Sequence, residues 1–116
     1  MASKKLFAAI LLCLALSACE RMKIGDVTAD PGRFKDKEIN VAGKVTNFSV
    51  GVLGRGLYQI DDGTGKLYVL SEKNGAPREG AYVGVKGRLL PSVTILGKNY
   101  ATVLRESDRK AVKASD

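Results

Sequence analysis

The sequence predicts a small all-β barrel, and three observations carry that prediction. Apolar and polar residues alternate with period two over short runs, the side-chain period of a strand with one buried face. Most of the 13 glycines of the 116-residue chain fall at the ends of these runs or singly inside them, with no repeat and no low-complexity segment. Two of the runs, "EINVAGKVTNF" and "YVGVKGRLL", share a V-x-G-[K/R]-apolar pattern that puts Gly43 and Gly87 in the inward register. A glycine inside a strand weakens it unless a bend or a close backbone approach needs it. Two in matching register predict strands that coil sharply around a small barrel.

The elements follow in chain order. "TADPGRFKD" predicts a short helical or turn segment, with Asp30 placed to cap and Pro31 in the first turn. In the first strand Ile39, Val41 and Val45 alternate with Asn40, Ala42, Lys44 and Thr46. "LYQID" and "KLYVL" are the second and third strands. In the fourth, Val83, Val85 and Leu89 alternate with Gly84, Lys86 and Arg88; "VTIL", the turn "GKN" and "YATVLRE" follow. The expected inward set is Ile39, Val41, Val45, Tyr58, Ile60, Leu67, Val69, Val83, Val85, Leu89 and Val103. Residues 107–116, "SDRKAVKASD", are polar and are expected to fray as a C-terminal tail.

The chain opens with two lysines within Met1–Lys5, followed by the apolar run "LFAAILLCLAL" from Leu6 to Leu16. This is the layout of an export signal, and the run is shorter than the roughly 20 apolar residues a spanning helix needs. The next residues, Ser17, Ala18 and Cys19, complete an "LSAC" motif similar to the lipobox of bacterial lipoproteins. That resemblance implies cleavage of the signal peptide, residues 1–18, and acylation of Cys19 on its sulfur and its amine. An uncleaved signal anchor, or an ordinary secretory leader with a chance cysteine, is the plainer alternative. With two or more acyl chains the attachment is stable without spanning. Glu20 stands where many Gram-negative lipoproteins retained at the inner membrane carry aspartate, so the expected location is the outer membrane, facing the periplasm, if the source is such a bacterium.

Residues 19–23 are then a lipidated N-terminus and tether, and 24–106 the folded domain. Cys13 leaves with the leader and Cys19 carries lipid, so no disulfide is available to the domain. Loss of Lys4 and Lys5 leaves 17 basic against 12 acidic residues, a net charge of +5. A basic surface suits anionic lipid, nucleic acid or an acidic partner, and closeness to a membrane favours lipid for Arg21 and Lys23.

Histidine is absent. A Ser/His/Asp triad, a Cys/His pair and a histidine-based zinc site are therefore excluded. Asp61 and Asp62 are neighbours at a strand end and point to opposite faces, a poor arrangement for shared acid–base work. With Thr64 they offer three oxygens, too few for the usual 6 to 8 ligands of calcium. The expectation is a non-enzymatic protein with no cofactor and no metal.

"YQIDDGTGKLYVL" contains a "DGTGK" that invites comparison with a phosphate loop. A P-loop needs G-x-x-x-x-G-K-[ST] opening a helix; here Ile60 stands at the first glycine position, Leu67 at the hydroxyl position, and a strand follows. The glycines instead serve a tight hairpin connection, with Asp62 supplying local hydrogen bonds. "GVLGRG", Gly51 to Gly56, fails the dinucleotide fingerprint likewise, having reversed spacing and no helix after it.

With that hairpin in place the element order resembles the OB-fold, in particular the anticodon-binding-like bacterial OB domains, over roughly Ile24 to Glu106. The resemblance rests on Gly43, on the hairpin Asp62 to Gly65 and on P-x-x-G-x-x-V-x-V-x-G from Pro77 to Gly87. It implies a five-stranded Greek-key barrel that binds ligands on the outer face of strands 2 and 3 with loops L12 and L45, here Phe48–Gly56 and Pro91–Asn99.

Two surfaces are candidates. The outward register holds Lys44, Lys66, Tyr68, Lys86 and Arg88, and pairing of strands 1 and 4 would bring Lys44 near Arg88; basic groups around an exposed tyrosine suit single-stranded nucleic acid. Against this stand the single outward aromatic, Tyr68, and Asp61, where the relatives commonly carry arginine. A solvated sheet face is the plainer reading of these cations. The second surface is the pair of loops, whose Val52, Leu53, Ile95 and Leu96 are unusually apolar, with Tyr68, Lys86 and Arg88 at the rim. Such a patch suits a protein, peptide or envelope ligand, or else the two loops pack on each other. The expected function is a membrane-anchored binding module, with single-stranded nucleic-acid binding and then a structural envelope protein as the alternatives. Tyr82 and Tyr100, at strand starts, are expected to cover the barrel end.

Overall fold

The computed structural model describes residues 21–113; the leader, Cys19 and residues 114–116 lie outside the described residues. Two short helices, α1 (Ile24–Ala29) and α2 (Pro31–Phe34), precede five strands: β1 (Glu38–Val52), β2 (Arg55–Asp61), β3 (Lys66–Ser71), β4 (Tyr82–Ile95) and β5 (Lys98–Ala111). They close in the order β1-β2-β3-β5-β4. Only β3 and β5 run parallel; the other pairs are antiparallel. This is the small barrel that the strand pattern predicts, with the five strands and OB-type order that the resemblance implies.

Ten of the eleven expected inward residues fill the barrel, joined by Leu104 and by Ile24 and Val27 of α1. The three-residue spacing of Ile24 and Val27 turns both to one face of the helix, which plugs the barrel end. α2 differs from expectation in one detail: Asp30 stands at its N-cap but makes no side-chain capping bond. Its carbonyl instead accepts from the Arg33 amide at 3.2 Å.

The two paired glycines have the role their register predicts. A Cβ on Gly43 would lie 2.9 Å from the Asp61 carbonyl oxygen, and one on Gly87 would collide with the Arg105 carbonyl. The β1–β2 and β4–β5 backbones thus approach too closely for any side chain. At Gly87 the ladder also shifts register, the kind of irregularity by which a strand bends around a barrel.

Three expectations are corrected. Residues 107–111 do not fray: β5 continues to Ala111, paired with β4 through Val85↔Arg109 and Val83↔Ala111. The ladder bonds are supplied by a distant strand, so local polarity does not foretell them. Secondly, the regions assigned to L12 and L45 are mostly strand, each hairpin turning only at its tip, through Leu53–Gly54 and Leu96–Gly97. Thirdly, Val103 is buried outside the barrel interior, in a separate cluster, while Leu104 takes the inward place. Thr102 has φ +56°, and this left-handed residue breaks the alternation of β5 ahead of Val103.

Candidate functional site

Alternation turns Leu57 and Leu70 out of the barrel, since their neighbours Tyr58 and Val69 fill it. They pair across the β2–β3 ladder and are nonetheless buried, at 1% and 3% exposure. The cover comes from the long hairpins: Phe48 and Val50 of β1, and Val93, Ile95, Tyr100 and Val103 of β4 and β5, with Tyr68 between. Phe48, Tyr68 and Tyr100 pack edge to face in all three pairings, with centroids 5.3 to 5.8 Å apart, the arrangement aromatic quadrupoles prefer. The two hairpins therefore meet over the outer β2–β3 face.

This geometry sorts the predicted site residues. Leu53 and Leu96 are exposed at the hairpin tips, at 99% and 75%. Ile95 is corrected: it is buried and belongs to the cluster, so packing of the hairpins on the barrel describes it better than a free contact. The side chain of Val52 lies outside the described residues; its backbone pairs with Arg55. Tyr100 does not cover the barrel end but joins Tyr68, and Phe48, assigned to loop L12, is the third aromatic. β1 runs on through this stretch to Val52, and Phe48, in the same register as Lys44 and Thr46, faces outward.

The cations are dispersed. Lys86 and Arg88 pair with Asn40 and Glu38 at the opposite end of β4 from Val93 and Ile95, the β4 members of the cluster, so they do not rim the aromatics. Lys86 lies 3.9 Å from Glu38, and Arg88 donates to the Asp36 carbonyl at 3.1 Å. Nor are Lys44 and Arg88 neighbours: β1 and β4 do pair, but Lys44 faces Tyr82 while Arg88 faces Glu38, about 20 Å along the strand. Lys44 instead stands in one cross-strand row with Asp61 and Lys66, which flanks the acid with a lysine on either side. Lys98 lies 5.4 Å from the centroid of the Tyr100 ring.

The tips repeat one pattern. Val52–Leu53–Gly54–Arg55 and Ile95–Leu96–Gly97–Lys98 are both β-apolar, Leu, Gly, cation. Leu53 and Leu96 have φ of +50° and +51°, and the following glycines +81° and +80°. Positive φ at both central residues is the type I′ turn of two-residue hairpins, where Asn, Asp and Gly are favoured. This repeat was visible in the sequence; its meaning was not, because φ is not. Between the hairpins lies a notch of about 90 Å³, with Leu57, Leu70 and Ile95 among its lining, together with Arg55, Thr94 and Leu96.

The "DGTG" hairpin has a separate task. Asp62 accepts from the Ile24 amide at 2.9 Å through Oδ2, and through Oδ1 from the Thr64 amide and hydroxyl and the Gly65 amide at 2.6 to 3.2 Å. Thr64 Oγ1 accepts from the Gly25 amide at 2.9 Å. The loop thus satisfies free amides in the first turn of α1, as a capping residue would. Partial burial pushes the Asp62 pKa up, but the Ile24 amide, the Thr64 hydroxyl and the loop amides outweigh it and hold the carboxyl below its ordinary range.

At the end of β5, Glu106 accepts from the Tyr58 hydroxyl at 2.5 Å and from Ser71 Oγ at 3.1 Å. Arg109 lies 3.3 Å from the same carboxylate and donates to the Gly75 carbonyl at 2.9 Å. The Glu106 side chain is 2% exposed. Burial, then the bond to Glu106, pushes the Tyr58 phenol far above its ordinary pKa. Among the described residues no three His, Cys, Asp or Glu side chains assemble into a metal site.

No protein-family model and no curated protein matches the chain. Solved structures do. Asparaginyl-tRNA synthetase from Pyrococcus horikoshii, complexed with asparaginyl-adenylate, is similar over 84% of this chain and 23% of that one, with TM-score 0.62 and 18% identity. The OBody AM3L09, bound to hen egg-white lysozyme, is similar over 72% of this chain and 88% of that one, with TM-score 0.54 and 15% identity. The chain spans about a quarter of the length of the synthetase. At such identities the likeness is one of architecture, and with the closed β1-β2-β3-β5-β4 order it establishes a small OB-type barrel.

Proposed function

We propose that the protein is a lipid-anchored envelope module, non-enzymatic, that holds a protein or peptide partner with its two hairpin tips. One observation carries this reading: Leu53 and Leu96 are the exposed large apolar residues among those described, and they occupy equivalent tip positions of the two hairpins. The outer β2–β3 face, where an OB barrel binds ligands, is already filled by Phe48, Tyr68 and Tyr100, which leaves the tips as the free apolar surface. The tether supports the same polarity. The Met22 amide donates to the Asn40 carbonyl, and the β1 tip is twelve residues further on, up to about 40 Å of strand. Cys19 would attach one end to the bilayer while the tips project from the other.

A photo-crosslinking amino acid at position 53 or 96 in the full chain should give discrete partner adducts in intact cells, and one at position 86 should not. Adducts at position 86 alone would refute the assignment.

A second reading, single-stranded nucleic acid binding, is favoured by the three aromatics together with Lys66 and Lys98. Against it stand the mutual edge-to-face packing of the rings and the burial of Tyr100 at 7% exposure, since base stacking needs a free face.

A further inference from the structure

Deepening the partner reading above, and resting on it, we propose that the notch between the hairpin tips is a peptide site that takes one apolar side chain with carboxylates beside it. A leucine at φ near +50° is unfavourable in its backbone, and a leucine at 99% or 75% exposure gains nothing from burial within the chain. Both costs are carried twice, at matching positions, where Asn or Gly would relieve them. Neither the turn nor the core explains the choice, whereas contact with an apolar partner does.

The notch fixes the occupant's size and charge. At about 90 Å³ it is well below the roughly 300–1,000 Å³ of small-molecule pockets and admits a single aliphatic side chain. Its floor is apolar, made by Leu57, Leu70 and Ile95, which are 1–7% exposed. Arg55 lines it and Lys98 follows the second tip. Among the described residues neither cation has a carboxylate within ion-pair distance. An apolar residue flanked by Asp or Glu would satisfy floor and cations together; a lysine-flanked residue would meet like charge.

The test uses residues 20–116, which contain the closed barrel and both apolar clusters, and the peptide Ac-Glu-Glu-Leu-Glu-Glu-NH2 in an NMR amide titration. Saturable shifts are expected at Leu57, Leu70, Thr94 and Ile95, and none with Lys replacing Glu or Ser replacing Leu. Arg55→Gln should weaken binding about tenfold, the scale of a lost charged hydrogen bond. The double variant Leu53→Asn, Leu96→Asn should lose binding while its thermal midpoint rises, because Asn tolerates the left-handed backbone. A structural role for the leucines predicts a fall instead, and that result would overturn the proposal. So would equal binding of the lysine peptide, or no saturable shift with the acidic one. Failure here with tip crosslinks intact removes only the peptide chemistry; absence of tip crosslinks removes the partner reading itself.

Discussion

Phe48 on the β1 arm and Tyr100 on the β5 arm meet edge to face with centroids 5.8 Å apart, and each also packs on Tyr68 of β3. The contact spans the groove that an OB barrel leaves between its two hairpins, and it fastens them to the β2–β3 face. Its consequence is a division of labour: the groove is held together by the protein's own rings, and the surface free to act lies above them.

If the rings are structural, oligonucleotide binding by residues 20–116 should be weak. Binding to a single-stranded oligonucleotide at two salt concentrations measures this. Affinity that is tight, falls steeply with salt and is abolished by Lys98→Glu would promote the nucleic-acid reading over the partner reading. Phe48→Ala should cost about 1–3 kcal/mol in denaturant unfolding, below the 3–5 typical of a fully buried Phe, because Phe48 is half-buried.

Asp62 couples the fold to acid. Its carboxyl is depressed in the folded state, so the folded protein releases this proton more readily than the unfolded chain. The stabilisation is present above the unfolded carboxyl pKa of about 4 and is lost as pH falls through the lower folded value. Asp62→Asn should flatten that acid limb and cost about 0.5–2 kcal/mol at neutral pH, the scale of a lost helix cap.

The Tyr58 phenol is raised in the folded state, and the sign is opposite. Its contribution is complete below the unfolded phenol pKa of about 10 and declines as pH rises above it. Tyr58→Phe should remove this alkaline loss and destabilise by about 1–2 kcal/mol through the hydrogen bond to Glu106.

Truncation after Glu106 tests the corrected C-terminus. It removes Arg109 and leaves a 2%-exposed carboxylate without its cation, so unfolding free energy should drop by about 3 kcal/mol or more. A fraying tail predicts no change.

Processing of the natural chain should be blocked by globomycin, and Cys19→Ala should abolish that processing and the lipid anchor together, so that any domain cleaved by another peptidase appears in the soluble fraction. A variant that is cleaved yet equally membrane-bound would remove the lipid anchor from the proposal.

Sequence alone was enough for the strands, the barrel and ten of its inward residues, because a period-two pattern is local and burial of one face forces its register. Gly43 and Gly87 were legible for the same reason: a glycine at an inward strand position announces a close backbone. The hairpin reading of "DGTG" followed from turn chemistry, but that Asp62 would cap a helix 38 residues upstream did not, since no local pattern encodes which amides a loop will meet. Thr102 moved Val103 to the outer cluster, a backbone irregularity that alternation cannot foresee, and Phe48 was hidden because β1 runs on through the stretch read as loop L12. β5 beyond Glu106 reads as a polar tail because its order comes from β4, 22 to 28 residues away in sequence, and from Arg109 reaching Glu106 and Gly75. Which apolar tip residues are free was likewise a tertiary matter: Ile95 and Leu96 are adjacent and alike, and only the closure of the hairpins over β2 and β3 buries one and leaves the other in water.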